Sequence, residues 1–287
     1  MASSSTGALL LLLLFVLACG GNGGAAAAVF SGCSFESQEE AEAFEAALLQ
    51  QACFNVTALG GAVSGAGFIA RDMTIRNTAG PAAHQAVALR VDSDRSAFFR
   101  VAIEGHQDTL YAHSLRQFYR DCRISGTVDF VFGNGIAVIQ RTTISTLPLA
   151  AGQTAGSVTA QGRRDPNQNT GFSLHACVVE AKYPTYLGRP WKPFSRVVVM
   201  ESYLGAGVQA RGWLEWDGGD GELATLFYGE YHNYGPGANV GGRVRWPGYH
   251  VIMDAAVAGR FTVQRFINGL AWLPSTGITF TADLNRK

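Results

Sequence analysis

Short β-rich runs recur through the middle of the chain, each closing on an apolar residue. They are Met73-Thr74-Ile75, Val101-Ala102-Ile103, Cys122-Arg123-Ile124, Thr142-Thr143-Ile144, Cys177-Val178-Val179 and Ser202-Tyr203-Leu204. The closing residues stand at 75, 103, 124, 144, 179 and 204, in steps of 28, 21, 20, 35 and 25. A second β-rich pair precedes most of them, at Phe68-Ile69, Phe98-Phe99, Phe118-Tyr119, Val138-Ile139 and Val198-Val199. Each period thus holds two or three short strands and no amphipathic helix. Periods of roughly 20 to 50 residues mark solenoids and propellers. A parallel β-helix fits, because each coil stacks about 4.8 Å from the next and buries one side chain per inward position. An antiparallel sandwich also has many short strands, but the spacing favours the solenoid, with the two longest steps carrying loops that bulge from one side.

The ends break this pattern. Glu36 to Cys53, rich in Glu and Ala, predicts a helix. Phe261 to Trp272 mixes apolar and polar residues and predicts a C-terminal helix covering the last coil against edge pairing. Ala8 to Cys19 is an unbroken apolar run, too short for a membrane span of about 20 residues and suited to the core of a signal peptide. Gly20 to Ala28 offers small residues for cleavage, although Met1 to Thr6 has no Lys or Arg. The expected organisation is a signal peptide over 1–28, an atypical helical segment over 29–53 and an all-β solenoid domain over 54–287.

Composition narrows the function classes. Lys plus Arg and Asp plus Glu balance at 22 each, which leaves no electrostatic footprint for nucleic acid or an anionic membrane. The 35 glycines favour tight turns over long helices. None of the five cysteines has CxxC spacing, so a zinc site is not expected. GxSxG and HExxH motifs are absent, and His84, His106 and His113 are expected on loops or coil corners. Asn55-Val56-Thr57 is the single N-glycosylation sequon, with Asn55 as acceptor in a secreted protein.

Candidate chemistry follows from the period. Gln85 and Gln107 lie 22 residues apart, and Asp108 and Asp129 lie 21 apart. In coils of that length each pair falls on adjacent rungs of one face. Two close carboxylates cannot both ionise cheaply, so one is expected to keep its proton while the other is charged. Arg189 follows Asp129 by 60 residues, near three coil lengths, so loop geometry has to return it to that face. A guanidinium there would hold one carboxylate ionised and oriented.

At these residues the chain resembles the plant pectin methylesterases. The resemblance rests on Gly67-Phe68-Ile69-Ala70-Arg71-Asp72, Gln85 to Leu89, Gln107-Asp108-Thr109-Leu110-Tyr111, Gly126 to Gly133 and Leu187-Gly188-Arg189-Pro190-Trp191. Gly212 to Trp216 and Trp246 to His250 follow in the family's order. It implies a secreted, cell-wall, right-handed parallel β-helix enzyme that demethylesterifies pectin without a cofactor or metal. It further implies a monomer, with pectin as substrate and a protein inhibitor of pectinesterases as candidate partner. Asp129 matches the nucleophile, Asp108 the general acid and base, and Gln107 and Gln85 the oxyanion-stabilising amides. Arg189 matches the partner of Asp129, with Gln85 and Arg189 also contacting substrate, and Trp191 and Trp213 match aromatics lining the sugar groove.

Two departures qualify that expectation. The family's coils ahead of Gly67-Phe68, with their Gly-x-Tyr-x-Glu motif, have no counterpart, so the solenoid is expected to be truncated at its start. This favours, as the alternative, a catalytically impaired pectin-binding or structural homologue; a β-helix polysaccharide hydrolase using paired carboxylates is a further one. Some members also carry cysteines where this chain has Thr74, Val101 and Thr142. Cys122 and Cys177 are then two coils apart, about 9 to 10 Å, beyond the roughly 7 Å limit for a bridge, and free thiols are expected.

Overall fold

The computed structural model describes residues 14–17, 26–30, 55–57, 61–216 and 223–285. The helix expected over Glu36–Cys53 lies outside them. The chain winds as a right-handed parallel β-helix with three sheets running along its axis. The first sheet carries Gly61–Ser64, Leu89–Val91, Leu110–Ala112, Val131–Gly133, Gly156–Gln161 and Thr185–Pro190 on successive coils. Leu14–Leu17 and Ala26–Phe30 extend it as antiparallel strands beyond Gly61–Ser64. The second sheet runs from Ile69–Arg71 to Tyr249–Val251, and the third from Asn55–Thr57 to Tyr203–Leu204.

The repeat read from the sequence is the register itself. Ile75, Ile103, Ile124, Ile144, Val179 and Leu204 pair in that order across the third sheet and are all buried. Burying each such side chain contributes about 1.5–3 kcal/mol. Inside the second sheet Ala70, Phe98, Tyr119, Ile139, Leu174 and Val199 form the matching ladder. Phe98 and Tyr119 stack at 4.8 Å, which is the rung spacing.

One corner device recurs. Between the second and third sheets, Asp72, Arg100, Asp121, Arg141, Ala176, Glu201 and His232 each take a positive φ, and none is glycine. A left-handed residue costs about 1–2 kcal/mol. From Asp72 to Glu201 each amide in the row is satisfied by the next coil, as in Arg100 N–H to Arg120 O and Asp121 N–H to Gln140 O. The following residues, Val101, Cys122, Thr142, Cys177 and Ser202, then point inward as another ladder. Thr142 separates the two cysteines, and both thiols are free and buried, a setting that pushes each up to about 12.

The C-terminal expectation needs correction. In place of one helix over Phe261 to Trp272 there are two short helices, Ala255–Ala258 and Val263–Phe266, with 3-10 turns after each. Extended backbone at Thr262, the left-handed Asn268 and Pro274 interrupt helical continuity. Nor does the segment cover the end of the solenoid. It lies on the outer face of the second sheet, where Phe261, Val263, Phe266, Ile267 and Trp272 bury Ala97, Phe118, Val138, Val198 and Met200. That sheet is apolar on both faces and needs the cover. Gln140 fastens the tail by donating to Thr281 O and accepting from Thr281 N–H, both at 2.9 Å.

Candidate active site

The corner from the third sheet into the first brings the two aspartates together. Leu110 pairs with Val131, so Asp108 and Asp129, each two residues earlier, occupy equivalent positions on adjacent coils about 4.8 Å apart. Asp108 N–H donates to Val128 O at 3.1 Å. Both residues have left-handed backbone, φ 63° and 51°, a conformation that Asp adopts more readily than most and that often marks functional sites.

Asp129 is 4% exposed and held by two side chains. Arg189 Nε donates to Oδ1 at 2.9 Å and to Oδ2 at 3.2 Å, and Nη2 donates to Oδ2 at 2.6 Å. Ser157 Oγ donates to Oδ1 and accepts from the Asp129 amide at 3.0 Å. Arg189 returns to the site over two coils rather than the expected three lengths, since Val131 aligns with Thr159 and Thr159 with Gly188. Both coils are long, because each carries an extended loop. The Arg189 guanidinium is in turn clamped by the Trp216 ring, 4.2 Å from its centroid.

Asp108 behaves oppositely. Burial, reinforced by the Asp129 charge and only partly offset by Arg189, pushes its carboxyl from 3.8 up to about 7. The dyad therefore offers one proton-bearing acid next to one ion-paired carboxylate near neutrality. Gln85 and Gln107 form an isolated parallel bridge on neighbouring coils, which sets them one above the other at the site's edge. Among the described residues no three His, Cys, Asp or Glu side chains converge as metal ligands.

Aromatic rings lie on the first sheet beside the dyad. Tyr111 and Phe132 stack at 4.3 Å, and Trp191 meets Phe132 edge-on at 6.1 Å. Trp191 fits because residue 162 is glycine: a Cβ there would lie 2.7 Å from the indole. Trp213 does not line the groove. It is fully buried, packed on Tyr228 at 4.3 Å, with Nε1 donating to Glu230. The indole its segment brings to the site is Trp216.

The sequence reading missed Ser157, Tyr111, Phe132 and Trp216 as site residues. Tyr111 and Phe132 each follow an aspartate of the dyad by three residues, so the same 21-residue step relates them. Ser157 lies 28 residues after Asp129, one long coil away, and only the strand register reveals it. Ser157→Ala removes a hydrogen bond to a charged group, worth about 1.5–3 kcal/mol. Steady-state kinetics should show kcat/KM falling roughly 10- to 100-fold, with the β-sheet circular dichroism unchanged.

Fold and site together define a parallel β-solenoid whose candidate site is an Asp–Asp–Arg cluster beside a run of aromatic rings. The family model described as Pectinesterase matches residues 36–270, and the chain belongs to that family. It is 62% identical over 224 residues to putative pectinesterase/pectinesterase inhibitor 22 of Arabidopsis thaliana, covering 78% of this chain and 40% of the relative. To pectinesterase/pectinesterase inhibitor PPE8B of Prunus persica it is 55% identical, covering 77% of this chain and 44% of the relative. The chain thus spans less than half the length of these two curated relatives. Among solved structures, pectin methylesterase from carrot superposes with a TM-score of 0.75 at 50% identity, covering 78% of this chain and 72% of the other.

Proposed function

We propose that this chain is a carboxylic ester hydrolase that demethylesterifies pectin to pectate and methanol, secreted to the plant cell wall. One observation carries the reading: a proton-bearing Asp108 stacked one coil from an Asp129 gripped by Arg189. In this mechanism an Asp129 oxygen attacks the C6 carbonyl of a methylated galacturonate. The carbonyl π electrons move to oxygen, where the Gln107 and Gln85 amides donate hydrogen bonds to the oxyanion. Collapse breaks the C6–methoxy bond, and methanol leaves with the Asp108 proton. Asp108, now a carboxylate, takes a proton from water. The resulting hydroxide attacks C6 and frees Asp129 as carboxylate. Arg189 and Ser157 orient the nucleophile throughout, while Trp191, Tyr111 and Phe132 hold the sugar rings.

The site needs no metal for this sequence of steps. Relatives whose names join pectinesterase with pectinesterase inhibitor support a protein inhibitor as the macromolecular partner of the single chain. The assay is methanol release from methyl-esterified homogalacturonan, with no new reducing ends. New reducing ends without methanol would overturn the assignment in favour of chain cleavage. Gln107→Ala should lower kcat roughly 10²-fold if its amide serves the oxyanion.

A further inference from the structure

The outer face of the third sheet carries chemistry that the catalytic groove does not use. Two outward rows run along the axis there. Arg123, Thr143, Val178, Tyr203 and Tyr234 occupy successive coils in one, and Glu104, Ser125, Ser145 and Glu180 do so in the other. Where the rows begin they border an open cleft of about 500 Å³, lined by Arg76, Arg123, Lys182, Tyr183 and the two serines among others.

The carboxylates of this cleft are engaged. Arg76 Nε reaches Glu104 at 2.6 Å, Ser145 Oγ donates to Glu180 at 2.9 Å, and Lys182 Nζ lies 3.7 Å from Glu180. Arg123 is exposed and has no carboxylate partner among the described residues. With Arg76 and Lys182 set against Glu104 and Glu180, the lining carries one net positive charge. His106 also lines the cleft, and its buried Nδ1 bonds to nothing in the protein. Farther along, Tyr203 and Tyr234 meet edge-on at 5.7 Å, and Tyr234 is 58% exposed.

An exposed ring pair presents apolar faces with polar tips, a surface on which the C–H face of a pyranose can lie. Serine hydroxyls and glutamates suit sugar hydroxyls, and an unpaired guanidinium suits a uronate carboxylate. From Arg123 to Tyr234 is four rungs, about 19 Å of straight track. One net positive charge and two tyrosines match a sugar chain with at most one carboxylate per ring better than nucleic acid, whose binding is dominated by many phosphate contacts.

We propose that this face is an auxiliary binding site for an acidic polysaccharide laid along the solenoid axis. The corner at residues 105–108 separates it from the groove, so one polymer stretch can be held here while another is processed. The inference rests on pectin being the substrate.

The test compares wild type with Arg123→Ala, Tyr234→Ala and the Arg123→Ala/Tyr203→Ala/Tyr234→Ala triple variant. Retention on immobilised polygalacturonate is measured, together with methanol release from polymeric pectin and from a short methylated oligogalacturonate. Retention should fall, and KM for the polymer rise, at least about fivefold, while kcat/KM for the short ester stays within about twofold. Folded variants that keep wild-type retention and polymer KM overturn the proposal, as does equal loss on both esters. If the triple variant fails to fold, the two single variants at exposed positions decide. Wild type that releases no methanol from either ester defeats the parent reading alone, because retention still tests this face.

Discussion

Asp129→Asn should reduce methanol release by about 10⁴-fold, the scale seen when a single member of a catalytic unit is removed. Asn is nearly isosteric and can still accept from Ser157 and Arg189, but its amide is no nucleophile toward an ester carbonyl. The substitution also leaves the Arg189 guanidinium without its counter-charge. That loss is cushioned by partial exposure, 21% of the side chain, and by the Trp216 ring, so stability should fall by only about 1–3 kcal/mol. Thermal unfolding with matched circular dichroism separates lost chemistry from lost fold. A variant that is folded and within tenfold of wild-type turnover would remove Asp129 from the nucleophile's role.

Asp108→Asn should cost about 10³-fold in turnover, because the leaving methoxide loses its proton donor, and yet should stabilise the protein in alkaline solution. The carboxyl is raised in the folded state, from 3.8 to about 7. The folded chain therefore holds this proton more tightly than the unfolded chain does. Stability tied to Asp108 is intact below pH 3.8, declines as pH rises towards 7, and stays lost above it. Asn has no proton to release, so the variant escapes that penalty. A shift of this size corresponds to at most about 4 kcal/mol, and partial exposure reduces the expected gain to about 1–2 kcal/mol. Unfolding at pH 3.5, pH 5 and pH 8.5 checks the sign: the variant's advantage should be absent at the lowest pH, partial at pH 5 and full at the highest. For wild type, kcat/KM should drop about tenfold per pH unit above 7 as the acid form disappears. A flat profile from pH 6 to 9 would mean that another group supplies the proton.

Much of this site is legible in the sequence, and for a definite reason. A stacked solenoid converts sequence separation into distance, so a recurring step of 20 or 21 residues placed Asp108 beside Asp129, and one of 22 placed Gln85 beside Gln107. The aliphatic ladder from Ile75 to Leu204 was readable on the same principle. Legibility failed where a loop lengthened a coil. Ser157 and Arg189 both lie beyond such loops, and no count of residues separates an added rung from an added loop.

Trp213 and Trp216 show a second kind of failure. Both indoles stand in one five-residue motif, and residue type cannot say which faces inward. The buried Glu230–Arg243 pair settles it by drawing the Trp213 N–H into the core, which leaves Trp216 over Arg189. The tail from Phe261 to Trp272 likewise folds otherwise than its sequence predicts. Its apolar residues were evident, but not that the second sheet is apolar on its outer face as well and needs a cover along its side.

The amino-acid order by itself determined the coil, its inward ladders and the pairing of the two acids, because those depend on a period that the chain repeats locally. Which acid keeps its proton, which indole clamps the arginine and where the tail packs were decided only in the folded molecule. Those outcomes depend on burial and on contacts between residues far apart in the chain, and a period carries no record of either.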